Sequence, residues 1–354
     1  MPNDTLTHAI DALAARTDLS AEETADVLAE IMRGDASEIQ IAAFLIALRT
    51  KGETVAELAG LARTMRALAT GVASSREDLL DTAGTGGGVR TFNVSTTAAL
   101  IAAGAGCAIA KHGNRSATSS SGSADLLEAL GARIDLDAAA VGACIDRIGF
   151  GFMFAPAHHQ ATRYVVPVRR ELAVRTVFNF LGPLTNPAGA RRQLIGVSDA
   201  AHLETIAGAL AMLGADRALV VASDDGLDEI SIAGPTRVYE VNGADVSSYT
   251  LTPARAGVGL YGADVLAREC AGGSPADNAA VTRAILADEE SQGSPRVELA
   301  VINAGAAIYA AGSADSIAAG VEAARAAIAD GSAARALAEY VEVSNSLAPA
   351  EAAR

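Results

Sequence analysis

The sequence predicts an α/β chain with a mostly parallel central sheet, preceded by a small helical domain. Three observations carry this. The first 72 residues show repeated helix starts and no strand pattern. From Leu79 onward, short apolar strands alternate with helical runs. Glycine-rich turns stand between strand and helix at the start of that alternation.

The N-terminal helices are read from their caps. Ser20 with Glu23, Ser37 with Gln40, and Thr54 with Glu57 have capping-box spacing, each opening an amphipathic run. We therefore place a helical domain over 1–72 and an α/β domain over 73–354. In the second, "LLDTA" reads as a strand, "STTAALIAAGAG" as a helix, "CAIAKHG" as a strand and "SADLLEALGA" as a helix. "AHLETIAGALAMLGA" is a further helix and "RALVVAS" a further strand. Near the end, "SPRVELAVINAGAAIYAAG" and "SIAAGVEAARAAIADG" read as helices, the first with Ser294 ahead of Pro295. Residues 156–187 hold four of the ten prolines, and residues 150–180 hold five of the seven phenylalanines. That segment reads as a crossing between domains, with part of 160–185 joining the helical one.

Composition narrows the function. Of 354 residues, 50% are hydrophobic and 19% charged, which suits a globular protein. No apolar run has the length of a membrane span, and the polar N-terminus lacks a signal-peptide layout. Cys107, Cys144 and Cys270 are scattered without metal or redox spacing, which points to a reducing cytoplasm. A formal net charge of −15 argues against a general binder of nucleic-acid backbones.

Four stretches carry chemistry. The first is "DTAGTGGGVRTFNVST", residues 81–96, a strand, a glycine turn and a helix start. Backbone N–H groups and the helix dipole make that an anion site. It is not a P-loop, since no Gly-Lys follows, nor a dinucleotide fingerprint, since Val89 stands where the third glycine belongs. Thr91, Asn93, Ser95 and Thr96 add side-chain donors, and a simple capped helix needs only one.

The second stretch, "KHGNRSATSSSGSADLLEALG", leaves the next strand at the same sheet edge, with Lys111 and Arg115 for charge and Ser116 and Thr118–Ser121 for hydroxyls. The third, "SDDGLDEIS" at 223–231, places Asp228 and Glu229 just after Gly226, where both could flank a magnesium–polyanion assembly. Taken alone it reads first as a solvated acidic turn, and the two phosphate-like loops are what call for a cation there. The fourth, residues 155–187, is rich in Arg and Phe. An arginine fork there suits a small carboxylate.

Together, "GTGG…TFNVST", "KHGNRS", "VPVRRELAVRTVFNFLGPLTNPAG" and "DGLDEIS" closely resemble the anthranilate phosphoribosyltransferase family, over nearly the whole chain. The resemblance implies the nucleoside phosphorylase/phosphoribosyltransferase type of two-domain architecture, and a homodimer formed through the helical domain. It implies transfer of the phosphoribosyl group of 5-phosphoribosyl 1-diphosphate to the amine of anthranilate in tryptophan biosynthesis.

Carried over, it puts the donor on Gly84, Gly87, Gly88, Thr91, Asn93, Val94, Ser95 and Thr96. The donor contacts continue through Lys111, His112, Gly113, Asn114, Arg115, Ser116, Ala117, Thr118 and Ser119 to Ser123. Mg²⁺ would meet Ser95, Asp228 and Glu229. Anthranilate would contact Gly84, Asn114 and Arg169, with His112, His159 and Pro183 nearby. No catalytic residue is assigned; His112 is a candidate, with ligand orientation the favoured role.

One departure stands out. The family writes the first loop G-T-G-G-D-G-x-x-T-F-N, whereas "GTGGGVRTFN" is one residue shorter and lacks the acid. Contacts usually shared by that Asp must come from elsewhere, and Arg90 is the candidate newcomer. A pyrimidine nucleoside phosphorylase-like enzyme and a nucleic-acid-binding paralogue are the alternatives. Asn114 beside Arg169 and the Asp228–Glu229 pair count against the former, and the net charge against the latter.

Overall fold

The computed structural model describes residues 2–116 and 120–347. It opens with four helices, α1 (Asp4–Ala14), α2 (Ala21–Arg33), α3 (Glu38–Lys51) and α4 (Val55–Leu68). Ser20–Glu23 and Thr54–Glu57 are reciprocal capping boxes. The third is a correction. Ser37 caps α3 by accepting from the Gln40 N–H, but the Gln40 side chain reaches Asn3 instead. There it accepts from the backbone N–H at 3.0 Å and donates to the carbonyl at 2.9 Å, tying α1 to α3.

The second part begins β1 (Leu80–Gly84), α5 (Val94–Gly104), β2 (Ile109–Gly113), α6 (Ser123–Ala129), α7 (Ala138–Ile148) and β3 (Phe150–Phe154). The crossing follows, as a single turn α8 (Ala155–His158), a 3₁₀ turn, α9 (Val166–Leu172) and α10 (Phe178–Leu184). Next come β4 (Arg192–Gly196), α11 (Leu203–Met212), β5 (Arg217–Ser223), β6 (Thr236–Asn242) and β7 (Asp245–Leu251). Six helices close the described chain: α12 (Pro253–Ala256), α13 (Ala263–Glu269), α14 (Pro275–Leu286), α15 (Pro295–Ala310), α16 (Ile317–Ala329) and α17 (Ser332–Leu347).

The strands form one seven-stranded sheet in the order β3-β2-β1-β4-β5-β6-β7. The first five positions are parallel, and β6 and β7 add an antiparallel hairpin. Four strands, β3, β4, β6 and β7, fall outside those read from the sequence. The phenylalanines assigned wholly to the crossing begin with β3, an edge strand in which Phe150, Phe152 and Met153 are buried. β7 is exposed over most of its length, so burial gave it no apolar signal.

Alternation along β5 shows how the sheet divides the interior. Leu219 and Val221 join the core under α5, α15 and α17, whereas Ala218, Val220 and Ala222 join the opposite core. That second core continues through α11 into the helical bundle and includes Val165, Val168, Phe178 and Leu181 of the crossing. The crossing is therefore packed with the bundle.

From the order 3-2-1-4-5, connections leave β1 and β4 toward opposite sides. The crevice between their carboxyl ends is the topological switch point, where ligands enter such sheets. The loop after β1 is the glycine loop.

Helix α9 ends at Ala173 with φ of 53°, a left-handed conformation disfavoured for a residue with a Cβ. Ala173→Gly should stabilise the fold by about 1 kcal/mol. A higher urea midpoint with an unchanged slope would show it, and a lower midpoint would contradict it.

Candidate functional site

The glycine loop is folded onto the acidic turn. Gly86 donates its N–H to Asp228 Oδ2 at 3.1 Å, and Val89 donates to the Gly226 carbonyl at 3.1 Å. A Cβ on Gly84 would stand 3.0 Å from Asp228 Oδ2, and one on Gly88 2.8 Å from both Asp228 N and Oδ1. Gly196, at the end of β4, is tighter still, with the Asp228 carbonyl where its Cβ would lie. The glycines thus let backbone close on Asp228 as well as on any ligand. At Gly88, in this shortened loop, the space a side chain would need is filled by Asp228.

Asp228 faces this loop, and Glu229 faces the start of α5. Glu229 accepts from the Ser95 backbone N–H at the start of α5. Burial, and then the charge of Asp228 beside it, push its carboxyl up to about 8. Asp228 is also raised by burial. The two carboxylates, with the Ser95 hydroxyl as a third candidate, are hard-oxygen donors, and a divalent cation would offset the burial that raises both acids and the repulsion that raises Glu229 further. The residues fit magnesium. Asp225, which sequence reading did not separate from its neighbours, holds the turn by accepting from Ser223 Oγ and Ser231 Oγ. The fold shows what separates the two aspartates physically.

Around the start of α5 the side chains are not simple caps. Asn93 makes no cap bond; its amide donates to the Ser121 carbonyl at 3.0 Å, and its oxygen accepts from Ser121 Oγ and Asn278. Thr96 is buried and bonds Ser123 Oγ at 3.1 Å. The loops after β1 and β2 are thereby joined. Val94 is buried in the core, Gly113 ends β2, and Thr91 makes a lone bridge with Ala271.

Two cations of the second stretch sit differently from a free phosphate clamp. Lys111 is 1% exposed and donates to the Thr82 carbonyl and hydroxyl. Burial lowers its pKa, opposed by the charges of Asp81 and Glu229. Arg115 is paired with Asp125 and Glu128, which raise its pKa and fix the loop. Asp125 also accepts from the N–H groups of Ser116 and Gly122. Asn114 is exposed and turns its oxygen to the Arg115 N–H at 2.7 Å. Ala117, Thr118 and Ser119 lie outside the described residues. Arg90 is exposed on the glycine loop.

The acceptor side gathers at α10. His112 Nδ1 lies 3.2 Å from the Gly182 carbonyl, which only accepts, so Nδ1 carries the proton. His159 is 5.1 Å away ring to ring and bonds the Thr185 backbone. Pro183 sits in the same turn, and its carbonyl accepts from Gln193. The Nε2 atoms of His112 and His159 are buried without a hydrogen-bond partner among the described residues. Arg169, near the end of α9, lies over the Phe178 ring at 5.5 Å with no carboxylate partner among the described residues. Burial lowers its pKa, which leaves a desolvated charge suited to an incoming carboxylate.

With this geometry in place, comparison with known proteins is decisive. A family model described as "Glycosyl transferase family, a/b domain" matches residues 76–334, and one described as "Glycosyl transferase family, helical bundle domain" matches 7–69. The anthranilate phosphoribosyltransferase of Moorella thermoacetica is 50% identical over 279 residues, which span 78% of this chain and 81% of that one.

The chain belongs to the anthranilate phosphoribosyltransferase family.

The crystal structure of the family member TrpD from Thermus thermophilus matches with a TM-score of 0.89 and 43% identity, covering 95% of this chain and 99% of that one. The Saccharomyces cerevisiae enzyme in complex with PRPP and Mg matches with a TM-score of 0.87 and 27% identity, over 97% and 98% of the two chains. The two-domain α/β architecture of this family is the one described above.

The buried histidines link this site to acid stability. Burial first, then the neighbouring histidines, lower His112 to about 3; burial and His158 lower His159 to about 4. An unfolded chain protonates both near pH 6.5. Their contribution to stability is therefore present above about pH 6.5 and lost as pH falls toward the folded values. Urea midpoints should drop between about pH 7 and pH 5, and the drop should be smaller in His112→Asn. Equal drops in the two proteins would remove His112 from this account.

Proposed function

We propose that this chain joins the phosphoribosyl group of 5-phosphoribosyl 1-diphosphate to the amine of anthranilate, giving N-(5-phosphoribosyl)anthranilate and pyrophosphate in tryptophan biosynthesis. Family membership supports the reaction. The observation that carries it in this chain is the convergence of Asp228 and Glu229 on the glycine loop and the start of α5.

The donor's diphosphate would lie on the backbone N–H groups of the loop from Gly84 to Gly88 and on the run from Thr91 to Thr96, at the positive end of α5. The β2 loop from Lys111 onward, with Ser123, completes that side. Lys111 acts there from beneath, as a charge held at Thr82. Ser95, Asp228 and Glu229 would hold Mg²⁺, which neutralises charge on the diphosphate when bound.

Arg169 would orient the anthranilate carboxylate, with Gly84 and Asn114 beside the acceptor. An aromatic amine is unprotonated at neutral pH, so its lone pair attacks C1 as the C1–diphosphate bond breaks, pyrophosphate leaves with that bonding pair, and the new C–N nitrogen gives up one proton to pyrophosphate or water. The anomeric centre passes through an oxocarbenium-like state. His112 is a weak base at about 3, so positioning is its part, through the unpartnered Nε2.

The division at residues 72/73 and a homodimer belong to the same reading. On α3, Ile39 and Ile46 are exposed two turns apart, with Ala43 between them, an apolar stripe suited to a second copy. No helix among the described residues is long and apolar enough to cross a membrane. Three buried free thiols support a reducing cytoplasm.

Anthranilate fluorescence should disappear only when protein, donor and Mg²⁺ are all present. Asp228→Asn should lower kcat about 100-fold or more, and Arg169→Ala should raise KM for anthranilate about tenfold or more. Persistent fluorescence with every component present would overturn the reading, and phosphorolysis of uridine would replace it with a phosphorylase.

A further inference from the structure

We propose that Arg175 and Ser198 are positioning residues that fix the Gly86–Gly87 peptide so that its N–H, and not its carbonyl, is offered to the diphosphate. The inference rests on the transferase reading for its ligand and on loop geometry for everything else.

The Gly86 carbonyl accepts two hydrogen bonds, from Arg175 Nη1 at 2.8 Å and from Ser198 Oγ at 3.0 Å. The peptide is trans, so the Gly87 N–H points opposite to that carbonyl, away from both side chains. It has no partner among the described residues. The preceding peptide shows the same arrangement completed. There Arg175 Nη2 lies 3.4 Å from the Thr85 carbonyl, while the Gly86 N–H on the far side reaches Asp228 at 3.1 Å. One guanidinium thus collects two consecutive carbonyls and turns two consecutive N–H groups outward. Ser198 is itself placed by its backbone N–H on Thr85 Oγ1 at 3.3 Å.

The glycines permit this. Gly86 and Gly87 both have positive φ, 67° and 87°. A Cβ on Gly87 would overlap Arg175 Nη1, so the guanidinium lies against the bare Cα. Such a loop has little of its own to hold a peptide plane in place. If that plane turned over, carbonyl lone pairs would face a polyanion where a donor now stands, and an attraction would become a repulsion. Arg175 also adds a positive charge near Asp228. Its own place is set by the segment between α9 and α10, so the crossing that packs with the helical bundle also sets the donor loop.

The test compares wild type with Arg175→Ala, Arg175→Lys and Ser198→Ala. Calorimetric titration with phosphoribosyl diphosphate and Mg²⁺ should show donor binding weakened about 30-fold or more in Arg175→Ala and about three- to tenfold in Ser198→Ala. Arg175→Lys should fall between them, because an ammonium cannot span both carbonyls as the fork does. In kinetics, KM for the donor should rise, while KM for anthranilate at saturating donor stays within about twofold. Donor affinity within twofold of wild type in the folded variants would overturn the inference, as would equal losses toward donor and acceptor. Should Arg175→Ala fail to fold, the other two variants decide by the same criteria. Wild-type protein that binds donor without turnover would count against the transferase reading alone, since the loop assignment is read from binding.

Discussion

Asp228 is enclosed by backbone: Gly84, Gly86 and Gly88 close on its carboxylate from the loop after β1, and Gly196 closes on its carbonyl from the end of β4. Adjacent parallel strands bring those two segments together, and the turn after β5 delivers the acid between them. A methyl group at Gly88 or Gly196 would push the acid out of the switch-point crevice. The acidic turn and the glycine loop are therefore one packed object, and the glycine content of residues 84–88 follows in part from that contact.

The electrostatics of the site follow from the same enclosure. Three ionisable groups, Asp81, Lys111 and Glu229, are buried or nearly so around the ends of β1 and β2. Burial pushes Asp81 up to about 6, with Lys111 opposing it. Asp81 accepts from the His112 backbone N–H at 3.0 Å and from Asn186 at 2.8 Å, so a buried carboxylate fixes the strand that carries the acceptor-side histidine. Apart from the Asp228 and Glu229 carboxylates, the groups around the crevice are mostly dipolar: N–H groups, hydroxyls and neutral imidazoles. Such fixed dipoles need little rearrangement as charge moves in a reaction. Arg169 is a cation with no carboxylate partner among the described residues, on the side where the proposed acceptor carries one.

The crossing segment does two jobs. Its apolar residues, Val165, Val168, Phe178 and Leu181, complete the core shared by the bundle and one face of the sheet. Its polar ones, Arg169 and Arg175, reach the site. Ligands in the crevice are thus coupled to how the bundle sits on the sheet, through contacts already present in the fold.

Local patterns were enough for the helical start, the strand–turn–helix around 81–104, and the residue types of all four site stretches. Caps, periodicity and loop chemistry act within a few residues, and the chain writes them out directly. The family resemblance could pick Asp228 and Glu229 out of an acidic turn, but their physical separation from Asp225 could not be read there. That took the serines at 223 and 231, brought round to clamp one carboxylate, and the glycines of two other strands, brought up to the next. Lys111 looked like a phosphate ligand from its loop and proved to be a buried strut, because only packing decides whether a side chain at the end of a strand points outward or under the sheet. Arg175 was one arginine among four in its segment, and Ser198 carried no signal at all. Their shared partner is a carbonyl about 90–110 residues away in sequence. Residue chemistry is local and was legible; peptide orientation, burial and close approach are long-range, and only the folded sheet sets them.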